Sequence, residues 1–440
     1  MEDINIADLT ERIPAIKKAA EQKEQLWLNP LFSLCSEVET DLTGKDIEDA
    51  EARLKRFAPL ILRLFPETEG RGGIIESELR EINCMKEELQ RAFSAQIKGR
   101  LLLKMDSHLP IAGSVKARGG IYDVLKHAEA LAIEGGFIEP EDNYEKLASD
   151  EVRSFFELHT IQVGSTGNLA LSVGIMGAKL GFKVIAHMSG DAKQWKKDLL
   201  RSNGVEIIEY LSDYSHAVQE GRNKSLKDPK SYFVDDENSR ELFLGYSVAG
   251  RRLKDQLREK SIRVGKGNPL FVYLPCGVGG APGGITFGLK KIFGPDVHCF
   301  FVEPVKACCM LLGMASGLDN GISTEDFGID CSTQADGLAV GRPSAFIGKL
   351  MRPLLSGIYT VNDERLFVFL RLLNKSCEIF IEPSACAAFA GFCGIDGPVF
   401  SRYIEKLGID EETITHIAWA TGGSMVPSQF KAEYLNTYFT

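Results

Sequence analysis

The spacing of hydrophobic and polar positions changes near residue 100. Before it, apolar residues recur at helical spacing among charged ones, as in "DIEDAEARLKRFAPLILRLF" at residues 46–65, which Pro66 interrupts. After it, short apolar runs typical of strands alternate with helical segments. This alternation is typical of βαβ units and a largely parallel sheet. The pattern predicts an α/β protein with a helical N-terminal extension used for packing.

The alternation is clearest in the middle of the chain. "FKVIAHM" at residues 182–188 predicts a buried strand, and "DAKQWKKDLLRSNG" at 191–204 predicts a helix closed by its last glycine. Further strands are predicted at 205–210, at the start of 231–239, at 269–275 and at 298–304. Ligands on such sheets bind beyond the carboxyl ends of the strands, so the loops after these runs are the candidate binding loops.

The length of the chain predicts the number of domains, and its charge and apolar runs argue against some classes of partner. The 440 residues exceed what one hydrophobic core usually organises, which predicts two domains. The net charge of -10 and the lack of a dense Lys/Arg block argue against nucleic acid as a partner. The acidic start "MEDINIADLTERIP" does not resemble a signal peptide, and no apolar run is long enough to cross a bilayer. We expect a cytoplasmic protein that does not bind membranes.

The ten cysteines and seven histidines form no metal-binding motif. Neither a Cys-x-x-Cys spacing nor a His-Glu-x-x-His motif occurs in the chain. In a cytoplasmic protein, cysteines without such spacing are reduced core thiols. We therefore predict reduced cysteines and no zinc site.

A glycine-rich loop, "PCGVGGAPGG" at residues 275–284, leaves a predicted strand and enters a predicted helix. Backbone N–H groups can converge on an anion at such a helix start. A dinucleotide fingerprint would need glycine at Pro282, and no Gly-Lys-Ser/Thr sequence of a P-loop occurs. The loop predicts a cradle for one phosphate or similar anion, and a turn without a ligand is an equal alternative. Its residues are Gly277, Val278, Gly279 and Gly280.

Two further loops carry small polar residues. In "VGSTGNLALSVGIMGAKLG", residues 163–181, backbone donors and hydroxyls could grip a carboxylate, although the same residues are ordinary helix caps. In "HIAWATGGSMVP", residues 416–427, Thr421 could offer a hydroxyl to a ring nitrogen or simply end a strand. A nucleophile elbow is disfavoured because Val426 stands where its last glycine would be. The polar residues of the first loop are Ser165, Thr166, Gly167 and Asn168.

Lys116 stands at the start of a predicted helix, "VKARGGIYDVLKHAEALAI", with Gly113 and Ser114 before it. A Schiff-base lysine needs such a position near backbone donors, whereas most lysines are solvated surface residues. Together, a lysine, a phosphate cradle, a carboxylate loop and a hydroxyl for a pyridine nitrogen fit pyridoxal 5'-phosphate (PLP) acting on an amino acid. The set predicts a PLP-dependent enzyme.

The chain resembles the bacterial D-serine dehydratase family, within the tryptophan-synthase-β-like, fold-type II PLP enzymes. The resemblance runs from the Trp27 region to Pro427. It implies two domains, each with a largely parallel twisted sheet flanked by helices. The large PLP-binding domain would comprise residues 1–120 and 236–440, with the helical extension, and the small domain residues 121–235. The motifs that carry the resemblance are, in order, "SHLPIAGSVKARGGIYDVLKHAE", "VGSTGNLALS", "VDDENS", "LFLGYSVAG", "LFVYLPCGVGGAPGG", "ADGLAVGR" and "ATGGSMVP".

The resemblance also implies roles for the cofactor-binding residues. Lys116 would be the Schiff-base lysine, Asn168 would bind the ring hydroxyl, and residues 277–280 would hold the phosphate. Thr421 would face the pyridine nitrogen, with Ser424 as an alternative. The cradle departs from the family pattern at residue 281, where alanine stands in place of the expected glycine.

The expected reaction is α,β-elimination of D-serine to pyruvate and ammonia. Ser165, Thr166 and Gly167 would bind the substrate carboxylate, and Thr166 is a candidate for proton transfer on the face opposite Lys116. Asp236 in "VDDEN" is a candidate to bind or protonate the β-hydroxyl, with a solvated turn as an equal alternative. In related enzymes a glutamate after a late strand helps to hold a cation. Glu303 in "FVEP" is a candidate for this monovalent cation, although helix capping is the stronger expectation.

Two alternative functions remain open at this stage. One is another lyase or synthase of the same fold, either an L-threonine/L-serine dehydratase or a β-replacement enzyme. The other is a non-catalytic protein that binds a small anion or a nucleotide at the glycine loop, which would leave Lys116 unexplained. The family further implies a monomer that acts on a small-molecule amino acid.

Overall fold

The structure is a computed structural model that describes residues 5–34, 40–165, 167–190, 192–211, 214–393 and 397–439. The chain forms two compact units. Unit 1 comprises Met1–Asp41, Glu78–Ser107 and Ala249–Thr440, and unit 2 comprises Leu42–Ser77 and His108–Val248. Residues 108–120 and 236–248 thus belong to the smaller unit, together with a segment of the N-terminal extension.

The strands are short, and the last four along the chain are buried at every position. They are β1 Gln25–Leu28, β2 Leu79–Glu81, β3 Arg100–Lys104, β4 Thr160–Gly164, β5 Lys183–Ser189, β6 Glu206–Tyr210, β7 Ser231–Val234, β8 Leu270–Pro275, β9 Val297–Pro304, β10 Gly357–Val361 and β11 Thr415–Trp419. The runs "LFVYLP" and "VHCFFVEP" are buried at every position, as expected for parallel strands covered by helices on both faces. The predicted strands in the second half of the chain are therefore confirmed.

Helices surround both groups of strands. They are α1 Ile6–Arg12, α2 Pro14–Ala20, α3 Gly44–Leu64, α4 Asn83–Phe93, α5 Lys116–Glu134, α6 Asp150–Phe156, α7 Asn168–Leu180, α8 Gln194–Ser202, α9 Tyr214–Ser225, α10 Arg240–Ser247, α11 Ala249–Glu259, α12 Gly280–Phe293, α13 Cys309–Ser316, α14 Ala345–Met351, α15 Asp363–Cys377, α16 Pro383–Cys386, α17 Gly397–Leu407 and α18 Ser428–Leu435. Short 3-10 helices lie at Pro66–Arg71, Asp106–His108, Tyr144–Ala148, Gly294–Asp296, Asp319–Gly321, Glu325–Phe327, Asp336–Leu338, Ala387–Phe392 and Glu411–Thr413.

Unit 1 is built on a mostly parallel sheet. Its described strands have the order β1-β10-β9-β8-β11-β3-β2. The five inner strands are parallel, whereas β1 and β2 pair antiparallel at the two edges. The two edge strands come from the N-terminal region, where the sequence predicted only helices, because three or four residues are too few to show an alternating pattern.

Unit 2 contains a smaller sheet. The order of its described strands is β6-β5-β4-β7, and each pair is parallel. Helix α3 of the N-terminal extension belongs to this unit, since Arg53 and Arg56 both form ion pairs with Glu129 of α5. The predicted α/β fold with two largely parallel sheets and a helical extension is confirmed.

The prediction that the cysteines are reduced is wrong for one pair. Cys84 of α4 and Cys377 of α15 form a disulfide, with their Cα atoms 6.3 Å apart. The two residues are 293 positions apart in the sequence, so no local spacing could indicate the pairing. Seven other described cysteines are free thiols, and most of them are buried.

Two features are absent from the described residues. No described helix is both long and apolar enough to span a bilayer. Within the same ranges, no three side chains among His, Cys, Asp and Glu are grouped in a way that could hold a metal ion.

Candidate active site

Lys116 forms an ion pair with Asp236 in unit 2. Lys116 is the first residue of α5, and its Nζ donates to Oδ1 and Oδ2 of Asp236 at 3.0 and 2.8 Å. The side chains are 19% and 11% exposed, so the pair is partly shielded from water yet accessible to a small molecule. The structure thus brings together two of the residues that the sequence indicated.

The acidic turn after β7 separates its three carboxylates. Asp235 and Glu237 both pair with the guanidinium of Arg222 on α9. The intervening residue, Asp236, instead pairs with Lys116. The turn is therefore not simply a solvated strand end, because its three carboxylates pair with two different basic residues.

A buried carboxylate anchors the far end of the same turn. Asp123, two turns along α5 from Lys116, accepts hydrogen bonds from Tyr232 at 2.6 Å and Ser239 at 2.7 Å. Burial raises the pKa of Asp123 to about 6, although both hydrogen bonds oppose the shift. Ser239 in turn caps α10 by accepting from the N–H of Leu242. The segment that carries Asp236 is thus fixed at both ends to elements of unit 2.

The predicted carboxylate loop lies between β4 and α7. The Ser165 N–H donates to the carbonyl of His187, and the Gly167 N–H donates to Ser165 Oγ at 3.2 Å. Asn168 is the first residue of α7, so the loop ends at a helix N-terminus, where backbone donors favour an anion. Thr166 lies outside the described residues.

Sequence reasoning missed a lysine near this loop. Lys196 of α8 is only 2% exposed, and its Nζ lies 3.7 Å from the place that a Cβ atom at Gly167 would occupy. A buried ammonium beside a loop of backbone donors adds positive potential for a carboxylate. The predicted helix contained this residue, but its charged sequence resembled a solvated surface.

The first turn of α5 is held by a buried ion pair. Arg118 donates from Nη1 to Glu76 Oε2 at 3.0 Å and from Nη2 to Glu76 Oε1 at 2.5 Å. The two residues are 4% and 7% exposed. Such a two-point contact fixes the orientation of the guanidinium, and with it the turn that begins at Lys116.

In unit 1, the glycine loop joins β8 to α12. Gly279 precedes the helix with φ +108°, a conformation that favours glycine, and has no side chain to cap the helix N–H groups. A Cβ atom at Gly277 would lie 3.3 Å from Leu338 Cα, within the "ADGLAVGR" segment. The backbone N–H groups at the start of α12 are thus positioned to bind an anion.

The departure at Ala281 does not disturb the loop. Helix α12 continues through Ala281 and Pro282, both of which are buried. Proline is tolerated there because the first turn of a helix leaves its N–H groups without helical partners. The loop retains its glycines at 277, 279 and 280, where the backbone must approach a ligand.

Glu303 caps a helix, as the sequence favoured. It is fully buried near the end of β9 and accepts from the N–H groups of Met310 and Leu311 in α13 at 2.8 and 2.9 Å. Burial raises its pKa to about 8 despite these two donors. Both the protonated and the ionised forms of the Glu303 side chain are therefore populated near neutral pH.

Thr421 follows β11 in a turn that requires glycine at position 423. Gly423 has φ +141°, and a Cβ atom there would lie 2.5 Å from the backbone nitrogen of Glu382. The Ser424 N–H donates to the Ser107 carbonyl at 3.1 Å. Thr421 is half-buried.

The unit 1 residues indicated by the sequence meet at one edge of the sheet. The glycine loop follows β8, Thr421 lies shortly after β11, and Glu303 lies near the end of β9. Strand β8 pairs in parallel with both β9 and β11. Ligands of parallel sheets bind at this carboxyl edge. The glycine loop fits a phosphate group by shape and by its backbone donors.

A glycine substitution tests the cradle. We expect Gly279→Ala to lower the free energy of unfolding and the affinity for the predicted cofactor, because the new Cβ would meet Met310 Cε at 2.4 Å and Ile347 Cγ2 at 3.0 Å. The left-handed backbone costs about 1–2 kcal/mol, and crowding adds about 1–3 kcal/mol. Urea unfolding and cofactor titration measure the two effects.

The matched control is Gly267→Ala in the same unit. Gly267 has φ +85°, but nothing lies within 4 Å of the added Cβ. This variant should show the backbone strain alone and keep normal cofactor affinity. Equal loss of affinity in both variants would contradict the cradle.

Comparisons with known proteins agree with this fold. The family model "Pyridoxal-phosphate dependent enzyme" matches residues 88–399. A probable D-serine dehydratase of Fusobacterium nucleatum is 56% identical over 429 residues, covering 97% of each chain. Another from Colwellia psychrerythraea is 52% identical over 445 residues, covering 99% of each chain.

Solved structures show the same fold at low sequence identity. Escherichia coli diaminopropionate ammonia lyase, in complex with D-serine, superposes with a TM-score of 0.73 at 19% identity, covering 94% of this chain and 97% of that one. Threonine deaminase isoform 2 from Solanum lycopersicum gives a TM-score of 0.62 at 18% identity, with 94% and 98% covered. These likenesses confirm the predicted fold type II. The chain therefore belongs to the pyridoxal-phosphate-dependent enzyme family, in which probable D-serine dehydratases are its full-length relatives.

Proposed function

We propose that this enzyme is a PLP-dependent D-serine dehydratase that converts D-serine into pyruvate and ammonia. The observation that carries the proposal is the contact between Lys116 Nζ and the Asp236 carboxylate at the start of α5. An amine that can form a Schiff base and a carboxylate that can act on a leaving hydroxyl are both needed for the elimination. Relatives with more than 50% identity that are probable D-serine dehydratases support the choice of substrate.

The residues present fit PLP. Lys116 would hold it as a Schiff base, and the backbone N–H groups of residues 277–280 would bind its phosphate. Asn168, at the start of α7, would bind the ring hydroxyl, and Thr421 would offer its hydroxyl to the pyridine nitrogen. When bound, PLP supplies an electron sink for the negative charge that remains at Cα after proton removal.

The substrate carboxylate would bind at the loop before α7. The Ser165 hydroxyl, which accepts from the Gly167 N–H at 3.2 Å, would donate its own proton to the carboxylate. The buried ammonium of Lys196 would contribute positive charge beside Gly167. These groups orient the amino acid, so that its Cα–H and Cβ–O bonds face fixed protein groups.

Proton transfers are divided among three residues. The Cα proton of a D-amino acid bound like an L-amino acid points away from Lys116, and Thr166 would transfer it on that opposite face with a water as relay. Asp236 would take a proton from the Lys116 ammonium, with which it pairs at 2.8 Å, and pass it to the β-hydroxyl, which leaves as water. The released aminoacrylate takes up water again and yields pyruvate and ammonia, so the atoms balance.

The remaining assignments follow the family. Glu303 would support a monovalent cation from its position near the end of β9. We further propose a cytoplasmic monomer that acts on free amino acids and binds neither nucleic acid nor membranes.

A substrate panel tests the function. We expect the purified holoenzyme to form pyruvate from D-serine with a kcat/KM at least about tenfold above that for L-serine, because the fixed loop and Asp236 favour one placement of the substrate groups. D-threonine and L-threonine complete the panel, with 2-oxobutyrate as the product. The 2-oxoacids are quantified with a hydrazine reagent.

The same panel separates the alternatives. Faster turnover of L-serine or L-threonine would identify an L-amino-acid dehydratase of the same fold. Formation of a β-substituted amino acid when a thiol is added, without 2-oxoacid, would identify a β-replacement enzyme. Either result would contradict the proposed function.

A further inference from the structure

A buried tyrosine hydroxyl lies near the Lys116–Asp236 pair. Tyr246 of α10 is 0% exposed, and its hydroxyl has no hydrogen-bond partner in the described part of the chain. Buried tyrosine hydroxyls nearly always have a partner. This hydroxyl is therefore the kind of group that makes its hydrogen bond in another state of the protein.

Two glycines, Gly119 on α5 and Gly245 on α10, let the Tyr246 ring pack closely against α5. A Cβ atom at Gly119 would lie 2.5 Å from Tyr246 Cζ, so the hydroxyl-bearing carbon rests against the first turn of α5. Lys116 Nζ lies 5.9 Å from the centroid of the same ring. A Cβ atom at Gly245 would lie 2.7 Å from the Arg118 carbonyl. Close packing of α10 on α5 thus holds the phenol beside the catalytic lysine.

The hydrogen bonds of Asp236 change when Lys116 reacts. Lys116 supplies donors to both carboxylate oxygens as long as it is an ammonium group. A lysine engaged in a Schiff base has at most one N–H, so the carboxylate loses donors. Burial raises the pKa of Tyr246, so its hydroxyl keeps its proton and remains a donor.

We propose that Tyr246 is a positioning residue that donates a hydrogen bond to the Asp236 carboxylate once Lys116 is engaged. This contact forms in the resting enzyme and persists while the substrate amino group displaces Lys116, so that Asp236 faces the β-hydroxyl when it leaves. The inference rests on the proposed function, because it requires a state in which Lys116 is covalently occupied. It also accounts for glycine at position 119, about one helical turn after Lys116, since a Cβ atom there would lie 2.5 Å from the ring.

A double-mutant cycle tests the link to Asp236. We expect Tyr246→Phe to lower kcat for D-serine by about 10–100-fold with little change in KM, since hydrogen bonds to charged groups carry effects of this size. In the Asp236→Asn background, the same substitution should change the residual kcat less than about twofold. The visible absorbance of the cofactor should persist in Tyr246→Phe.

Thermal unfolding of the cofactor-free protein gives a second readout. Because the Tyr246 hydroxyl has no partner there, Tyr246→Phe should unfold at the same or a higher temperature than the wild type. The matched control is Tyr122→Phe on α5, which loses a hydrogen bond from Arg53 of 2.9 Å. The control should lower the unfolding temperature with and without cofactor and leave the ratio of kcat to KM for D-serine near normal.

Three results would overturn the role of Tyr246 alone. They are an equal loss of kcat in both backgrounds, destabilisation of the cofactor-free protein as large as in the control, and a raised KM with unchanged kcat. A wild-type protein without visible absorbance and without pyruvate formation would instead overturn the proposed function, and this inference with it.

Discussion

Lys116→Ala is expected to remove the visible Schiff-base absorbance of the purified protein and to lower kcat for D-serine by at least about 10⁴-fold, the scale seen when a covalent catalytic residue is removed. No other group at the start of α5 can form the Schiff base, because the neighbouring residues Val115 and Ala117 are apolar. Absorbance spectra and pyruvate formation measure the two effects. Retention of the absorbance would show that another lysine binds the cofactor.

Lys126→Ala is the matched control for this experiment. Lys126 lies on the same helix, but its ammonium pairs with Glu241 at 2.6 Å rather than with Asp236. Its removal should leave the spectrum and the turnover close to wild-type values. Loss of absorbance in both variants would indicate general damage to α5 instead of a specific role for Lys116.

Glu76→Ala is expected to have the largest effect on stability. It leaves the Arg118 guanidinium buried without its two-point partner, and breaking a buried ion pair in this way costs about 3–5 kcal/mol. Urea unfolding of the cofactor-free protein measures the loss. Because Arg118 lies in the first turn of α5, turnover should also fall through displacement of Lys116.

The double variant Glu76→Leu with Arg118→Met distinguishes the charge effect from loss of packing. Apolar residues of similar volume remove both buried charges, so the free energy of unfolding should return to within about 1–2 kcal/mol of wild type. A double variant as unstable as Glu76→Ala would mean that the ion pair itself, and not the charge left buried on Arg118, determines stability here.

Much of the fold and part of the candidate site could be predicted from the sequence. Buried parallel strands such as "LFVYLP" are continuous apolar runs, and the loop after each run is visible as glycine or small polar residues. Lys116 and Asp236 lie 120 positions apart, and no spacing along the chain indicates their contact. The structure brings these two together within unit 2.

Other features depend on contacts that a sequence does not display. Nothing in "VDDEN" indicates that Asp235 and Glu237 form ion pairs with Arg222, whereas Asp236 forms one with Lys116. Tyr246 stands in the apolar stretch "LFLGYSVAG", where it resembles an ordinary core residue. Lys196 stands in a charged helix that resembles a solvated face. In each case the tertiary partner, and not the residue type, determines the role.

The position of β11 affects the order in which the two units can fold during synthesis. This strand, the last in the chain, lies between β8 and β3. All residues of unit 2 precede position 249, so unit 2 can fold on the ribosome while the sheet of unit 1 still lacks an inner strand. A nascent chain that stalls before residue 415 would combine a folded unit 2 with open edges on β8 and β3. Unpaired strand edges of this kind promote aggregation.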